Sequence, residues 1–303
     1  QKEGMKIIKG LIGLVFVIIA LIALYEMFSS SQEEIQQYGG EKGGERLPEE
    51  IIPRDMPEQA LPPRDKASPL PQAGVKIAII IDDIGFKLAP VYEFLKLEAP
   101  IAFAILPHCP YSLAAAEAIH RAGRDILLHL PMEPQDPQLN PGEGALFRWM
   151  SEREIREQLA ANLAAVPYVT GVNNHMGSAF MEEEEKVHLV LQELQDRGLF
   201  FIDSRTTPKS RAARFAETTG IRFAERNLFL DNDQDREIIL DNLVSYLKKQ
   251  HSGSRVIIGH PYPATVEALQ EAIPLLISRG IQIVPPSQVA GIITRGAPKG
   301  RSE

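Results

Sequence analysis

One cysteine, Cys109, stands alone in 303 residues, so no intramolecular disulfide can staple this chain and no cysteine-rich zinc site is open to it. Any metal must be held by histidine and carboxylate. A basic excess is also missing: 32 Lys and Arg against 40 Asp and Glu leave a formal net charge of -8, which gives no footprint for nucleic acid. The glycine patterns of Walker and dinucleotide-binding loops do not occur. No Gly-x-Ser-x-Gly frame presents a serine nucleophile, because Gly177-Ser178 stands outside such a frame. Tryptophan occurs once, at Trp149, where packing in a core or lid is the expected role rather than stacking on a sugar. Cys109 is expected to be a small buried hydrophobe.

The apolar residues that are present, 44% of the chain, are distributed unevenly. From Ile7 to Leu24 only Lys9 interrupts an apolar run, which as a helix nearly crosses a hydrocarbon core. No small-x-small cleavage site follows directly, so an uncleaved anchor over 7–27 is preferred to a signal peptide. Lys2 and Lys6 precede it and acidic residues follow, which puts residues 1–6 in the cytoplasm. The remainder then lies outside, carried by the inner membrane through one span. Residues 28–73 are rich in Pro, Glu, Gln and Gly and cannot bury enough surface to fold, so they read as a tether. Residues 296–303 read as a flexible tail.

Between them, over 74–295, short apolar runs alternate with amphipathic stretches of ten to eighteen residues. Strands are expected at Lys76–Ile81, Ile101–Ile105, Asp125–Leu130, Tyr168–Asn173, Leu199–Ile202, Arg222–Ala224, Arg255–Ile258 and Gln282–Val284. Helices are expected at Ala114–Arg121, Glu152–Ala165, Glu182–Gln195, Gln234–Lys249 and Val266–Ser278. Such alternation implies an α/β fold with a parallel sheet, and this many units fit a barrel better than an open sheet.

Active sites of α/β folds lie past the carboxyl ends of the strands. Polar residues gather there in this sequence. The first run ends in Asp82-Asp83, the third in His129, the fourth in Asn173-Asn174-His175, the fifth in Asp203-Ser204-Arg205 and a late one in Gly259-His260. One carboxylate and two imidazoles make an open zinc site with room for water or substrate. Asp83, His129 and His175 suit the ligand role, Asp82 a general base and His260 an acid. Asp203 and Arg205 suit a supporting role around them.

Ile81-Asp82-Asp83-Ile84-Gly85, His129-Leu130-Pro131-Met132-Glu133-Pro134 and Gly171-Val172-Asn173-Asn174-His175-Met176-Gly177-Ser178 together closely resemble the divergent polysaccharide deacetylase family. Asp203-Ser204-Arg205-Thr206 and Ile258-Gly259-His260-Pro261 extend the resemblance over the whole of 74–295. It implies a distorted, incomplete (β/α) barrel of the NodB type and a divalent metal, usually zinc. The activity it implies is removal of acetyl groups from N-acetylated glycan. Carried onto this chain, Asp82 matches the base, Asp83 the metal-binding Asp, His129 the first ligand His and His260 the late acid. The second ligand position holds Glu133 instead of His. Either Glu133 coordinates or His175 substitutes, and the flanking Pro131 and Pro134 favour His175. Arg205 is the candidate to replace the family's arginine, and Asn174 stands beside the site. No substrate-binding residue and no protein partner is indicated. The expected function is metal-dependent deacetylation of envelope polysaccharide or peptidoglycan. The competing readings are a catalytically silent envelope protein that binds glycan or a partner, and an unrelated barrel metallohydrolase.

Overall fold

The computed structural model describes residues 74–249 and 252–292. Strands and helices alternate along it as β1 (Val75–Ile84), α1 (Ala89–Leu95), β2 (Ala102–Ile105), α2 (Ser112–Arg121), β3 (Ile126–Met132), α3 (Glu152–Ala165) and β4 (Gly171–Met176). The order continues with α4 (Glu184–Asp196), β5 (Phe200–Asp203), α5 (Ala212–Thr219), β6 (Arg222–Phe229), α6 (Arg236–Lys248), β7 (Gly253–Gly259) and α7 (Pro263–Ser278). Two short strands, β8 (Gln282–Ile283) and β9 (Gly291–Ile292), end it.

Neighbouring strands from β1 to β7 pair in parallel, and β1 pairs with both β2 and β7, so seven strands close a ring. The expected final strand does not join that ring. β8 pairs in parallel with the start of β1 at Lys76 and Ile77, on the edge that β2 takes further along, and β9 runs antiparallel to β6.

The ring sorts each strand's side chains by the period of two. Ile77, Ile79, Ile81, Phe103, Ile105, Leu128, Phe201 and Ile257 pack outward with the helices in the larger apolar cluster. Ile80, Ala102, Ala104, Leu127, Phe200, Ile202, Val256 and Ile258 form a smaller cluster inside. Gly171 belongs to that interior, because a Cβ there would lie 2.3 Å from the Phe200 ring. Two residues further along the same inward rows come Asp82, His129, Asn173, Ser204 and His260. The alternation that fills the barrel therefore aims these groups into its mouth.

Helix α3 coincides with its expected span because Ser151 and Glu154 close a capping box at its start. The sequence pattern misses α1 and α5. They are seven and eight residues long, and each buries only two side chains, Val91 and Phe94 in one and Ala212 and Ala216 in the other. That is too little for a periodic signal. No helix among the described residues is long and apolar enough to cross a membrane. The expected anchor at 7–27, the tether at 28–73 and the tail at 296–303 lie outside the described residues.

Candidate metal centre

Asp82 and Asp83 are adjacent in β1, yet both reach the barrel mouth. Asp82 does so by alternation. Asp83 would point outward in a regular strand, but its φ is +56° and the pairing of β1 with β2 slips between Ile81 and Ile84. A bulge of this kind re-aims one side chain. Met176, which follows His175 and ends β4, and His108, after β2, also have positive φ. Such conformations cost non-glycine residues energy and gather where function over-determines the backbone.

Three ligand-type atoms converge there. Asp83 Oδ1 lies 3.1 Å from His129 Nε2 and 3.0 Å from His175 Nδ1, and the two ring nitrogens are 3.1 Å apart. Asp83 Oδ1 is buried and has no hydrogen-bond partner. Ligands of one tetrahedral zinc at bonds of about 2.1 Å stand about 3.4 Å apart. A buried oxygen without a donor, facing two imidazole nitrogens at nearly that spacing, fits a shared cation. Among the described residues, Asp83, His129 and His175 are the group able to hold a metal ion. Burial would raise the Asp83 pKa, but the two imidazoles outweigh it and hold the carboxyl well below the usual range.

Asn173, fully buried beneath the triad, ties it to the second carboxylate. Its Nδ2 donates to Asp82 Oδ1 at 2.8 Å, and its Oδ1 lies 2.9 Å from His129 Nδ1. A carboxylate only accepts, so the amide nitrogen faces Asp82 and the amide oxygen must receive the His129 Nδ1 proton. That leaves Nε2 free to act as a ligand. Asp82 Oδ2 lies 3.7 Å from His129 Nε2. Burial pushes the Asp82 carboxyl upward against the pull of His129. Burial alone would lower His129, but Asp82 and Asp83 together hold it at about 9.

His260 faces the triad from β7, with Nε2 4.0 Å from Asp83 Oδ2. Asp231 fixes it. One carboxylate oxygen accepts the His260 backbone N–H at 2.6 Å and the Thr265 hydroxyl at 2.7 Å, and the other pairs with His260 Nδ1 at 2.8 Å. Burial would lower His260, and the Asp231 contact outweighs it and raises the imidazole.

The remaining sequence candidates serve as bracing. Glu133 receives the Arg148 backbone N–H and guanidinium at 2.6 and 3.1 Å and is absent from the triad. Asn174 accepts from Ser204 N and donates to the Met176 carbonyl, joining β4 to the loop after β5. Asp203 accepts from Arg205 N and the Ser210 hydroxyl, while the Arg205 guanidinium pairs with Glu225. Sequence reasoning overlooked Asn173 and Asp231. Asn173 stood in a quoted motif and on the inward row of β4, which is the signal that could have found it. Asp231 lies past the end of β6, beyond the strand expected there, which stopped at Ala224.

Beside the triad opens a cavity of about 280 Å³ whose walls include Asp83, His175, Phe86, His108, Cys109 and Glu143. Cys109 is half-buried in this wall and not in the core.

Residues 79–290 match the family model described as divergent polysaccharide deacetylase. An Escherichia coli (strain K12) protein described as uncharacterized protein YibQ is 35% identical over 202 residues, which are 65% of this chain and 62% of the relative. The match thus spans less than two thirds of that relative's length. An uncharacterized protein of Haemophilus influenzae is 34% identical over 201 residues, 65% of this chain and 71% of the relative. Among solved structures, the uncharacterized protein ATU2773 from Agrobacterium tumefaciens C58 shares the fold at a TM-score of 0.67 and 22% identity. That alignment covers 71% of this chain and 89% of the other.

Proposed function

The chain belongs to the divergent polysaccharide deacetylase family, and on that premise we propose that it removes acetyl groups from an N-acetylated envelope glycan with the help of zinc. The observation that carries this reading is the convergence of Asp83 Oδ1, His129 Nε2 and His175 Nδ1 around a buried oxygen that lacks a hydrogen-bond partner. One carboxylate and two imidazoles leave zinc an open position. Bound there, the ion would polarise the acetamide carbonyl and acidify water.

The chain's own residues supply the rest. Asp82 Oδ2, left free by the Asn173 contact to Oδ1, takes the proton of the attacking water. His260, with Nδ1 committed to Asp231, offers the proton at Nε2 to the leaving amine. Burial alone would lower the His260 pKa, but Asp231 outweighs it and raises the imidazole, which favours the protonated form this step uses. The cavity next to Asp83 and His175 receives the sugar. The membrane anchor expected at 7–27 would hold this domain on the outer face of the inner membrane, facing such a glycan.

The test is zinc content of the purified full chain, followed by acetate release from acetylated peptidoglycan and from N-acetylglucosamine oligomers. About one zinc per chain and acetate release that stops in Asp82→Asn are expected. Zinc binding and glycan binding without acetate release from any of these glycans would instead favour the silent glycan-binding reading. The Glu133 position, engaged with Arg148 where the family motif has a histidine, supports that alternative.

A further inference from the structure

Five large aromatic side chains among the described residues are exposed, and three of them, Phe86, Tyr111 and Trp149, lie in the loops that follow β1, β2 and β3. These are adjacent strands, and their loops share the rim that carries the triad. Trp149 is 71% exposed, which contradicts the expected packing in a core or lid. Its ring stacks on Phe147, with centroids 5.8 Å apart and planes 18° from parallel, so Phe147 backs the indole and the rest of the Trp149 ring stays open to solvent.

The segment that carries this indole is rigid. Glu133 N donates to the Leu146 carbonyl, Leu146 N to the Pro131 carbonyl, and Arg148 N to Glu133 Oε2. Nearer the cavity, fully buried Asn162 donates to the Gly144 carbonyl at 2.8 Å, and its Oδ1 lies 2.9 Å from His108 Nε2. Gly144 is needed there, because a Cβ would sit 2.3 Å from Asn162 Oδ1. The same loop lines the cavity at Asn140 to Glu143, and six further residues, spanning at most about 20 Å, lead to Trp149. Tyr111 N donates to the Gly85 carbonyl, tying the loops after β1 and β2 together beside Phe86, which also lines the cavity.

We propose that Trp149 and Phe147 form an outer sugar-stacking subsite, which receives the part of a glycan chain extending from the cavity beside the triad. The proposal rests on the glycan reading above. A pyranose ring has an apolar face of C–H groups and a rim of hydroxyls, which suits a flat aromatic face at a wet edge. The adjoining cation does not redirect the choice toward an anionic polymer, because Arg148 is taken up by Glu133 and by Glu183 at 3.8 Å. The ligand is a neutral oligosaccharide of several rings.

Trp149 is the only tryptophan, so its emission reports on this face alone. The full chain, in a detergent without sugar headgroups and without added metal, is titrated with β-1,4-linked N-acetylglucosamine oligomers of two and of six units. The six-unit oligomer is expected to shift the tryptophan emission and, by calorimetry, to bind about fivefold tighter than the two-unit one. Trp149→Ala should erase that length advantage while leaving two-unit affinity unchanged, and Trp149→Phe should keep part of it. Six-unit binding with silent emission and an intact length advantage in Trp149→Ala overturns the outer subsite but spares the glycan reading. Binding of neither oligomer overturns both. An emission shift with phosphatidylglycerol vesicles but not with oligomers reassigns the face to the membrane and overturns the subsite.

Discussion

The two walls of the barrel mouth are finished to different degrees. On the His260 wall, Asp231 accepts from a backbone N–H, from a hydroxyl and from an imidazole, so its carboxylate is satisfied by protein alone. On the Asp83 wall, three ligand atoms stand about 3 Å apart with a buried oxygen that accepts no hydrogen bond, on a backbone at φ +56°. Unpaired buried polar atoms and left-handed non-glycine residues both cost stability. One wall is complete in its own hydrogen bonds. The other is complementary to something the chain does not itself contain, and a cation answers its charge and geometry.

Removing a triad member tests that difference most severely. His175→Ala should lower zinc affinity by more than about 100-fold, beyond what a supporting residue costs, and abolish acetate release. Competition with a chromogenic chelator reads the affinity, and zinc retained at wild-type affinity would break the comparison. Asp231→Asn attacks the other wall. An amide cannot accept from the backbone, the hydroxyl and the imidazole at once, so His260 loses its fixed proton. The turnover number should fall about 100-fold with zinc content unchanged. Loss of zinc in Asp231→Asn would show that the walls are not independent. Asn173→Leu keeps volume but frees the His129 tautomer, and zinc affinity should drop about 10- to 100-fold. The His129 ring-nitrogen NMR shifts, read without metal in mildly alkaline solution, should then report loss of the fixed Nδ1–H form.

Much of this was legible before folding was considered. A β-branched run ending in two carboxylates marks a central strand, and polar residues at successive strand ends mark one rim. What the period of two could not supply was Asp83, because only a bulge and a positive φ bring both members of the Asp pair into the mouth. Asp231 was hidden because Arg226 and Asn227 break the apolar pattern of β6. Arg226 stays in the strand because its guanidinium binds the Ser204 and Arg205 carbonyls, a tertiary contact that no local window contains. The exposure of Trp149 was equally invisible, since an aromatic pair at i and i+2 reads the same whether it faces a core or water.

The mildest test leaves every residue in place and varies pH. His129 is held at about 9 by the charges of Asp82 and Asp83 against the downward effect of its own burial. Below that value the imidazole is protonated on both nitrogens, and Nε2 cannot serve a metal. Each zinc bound near neutrality must therefore displace one His129 proton. The sign follows directly: zinc affinity rises with pH, about tenfold per unit through the neutral range, and flattens above about 9. Asp83, already ionised far below neutrality, adds nothing to this slope. Calorimetry in two buffers of different ionisation heat should count about one proton released at pH 7. Asp82→Asn removes the largest charge that holds the imidazole up, so the slope should end at a lower pH in that variant. An affinity independent of pH would mean that His129 is already neutral, and that the Asp83 wall does not use its proton to balance the charge a cation would balance.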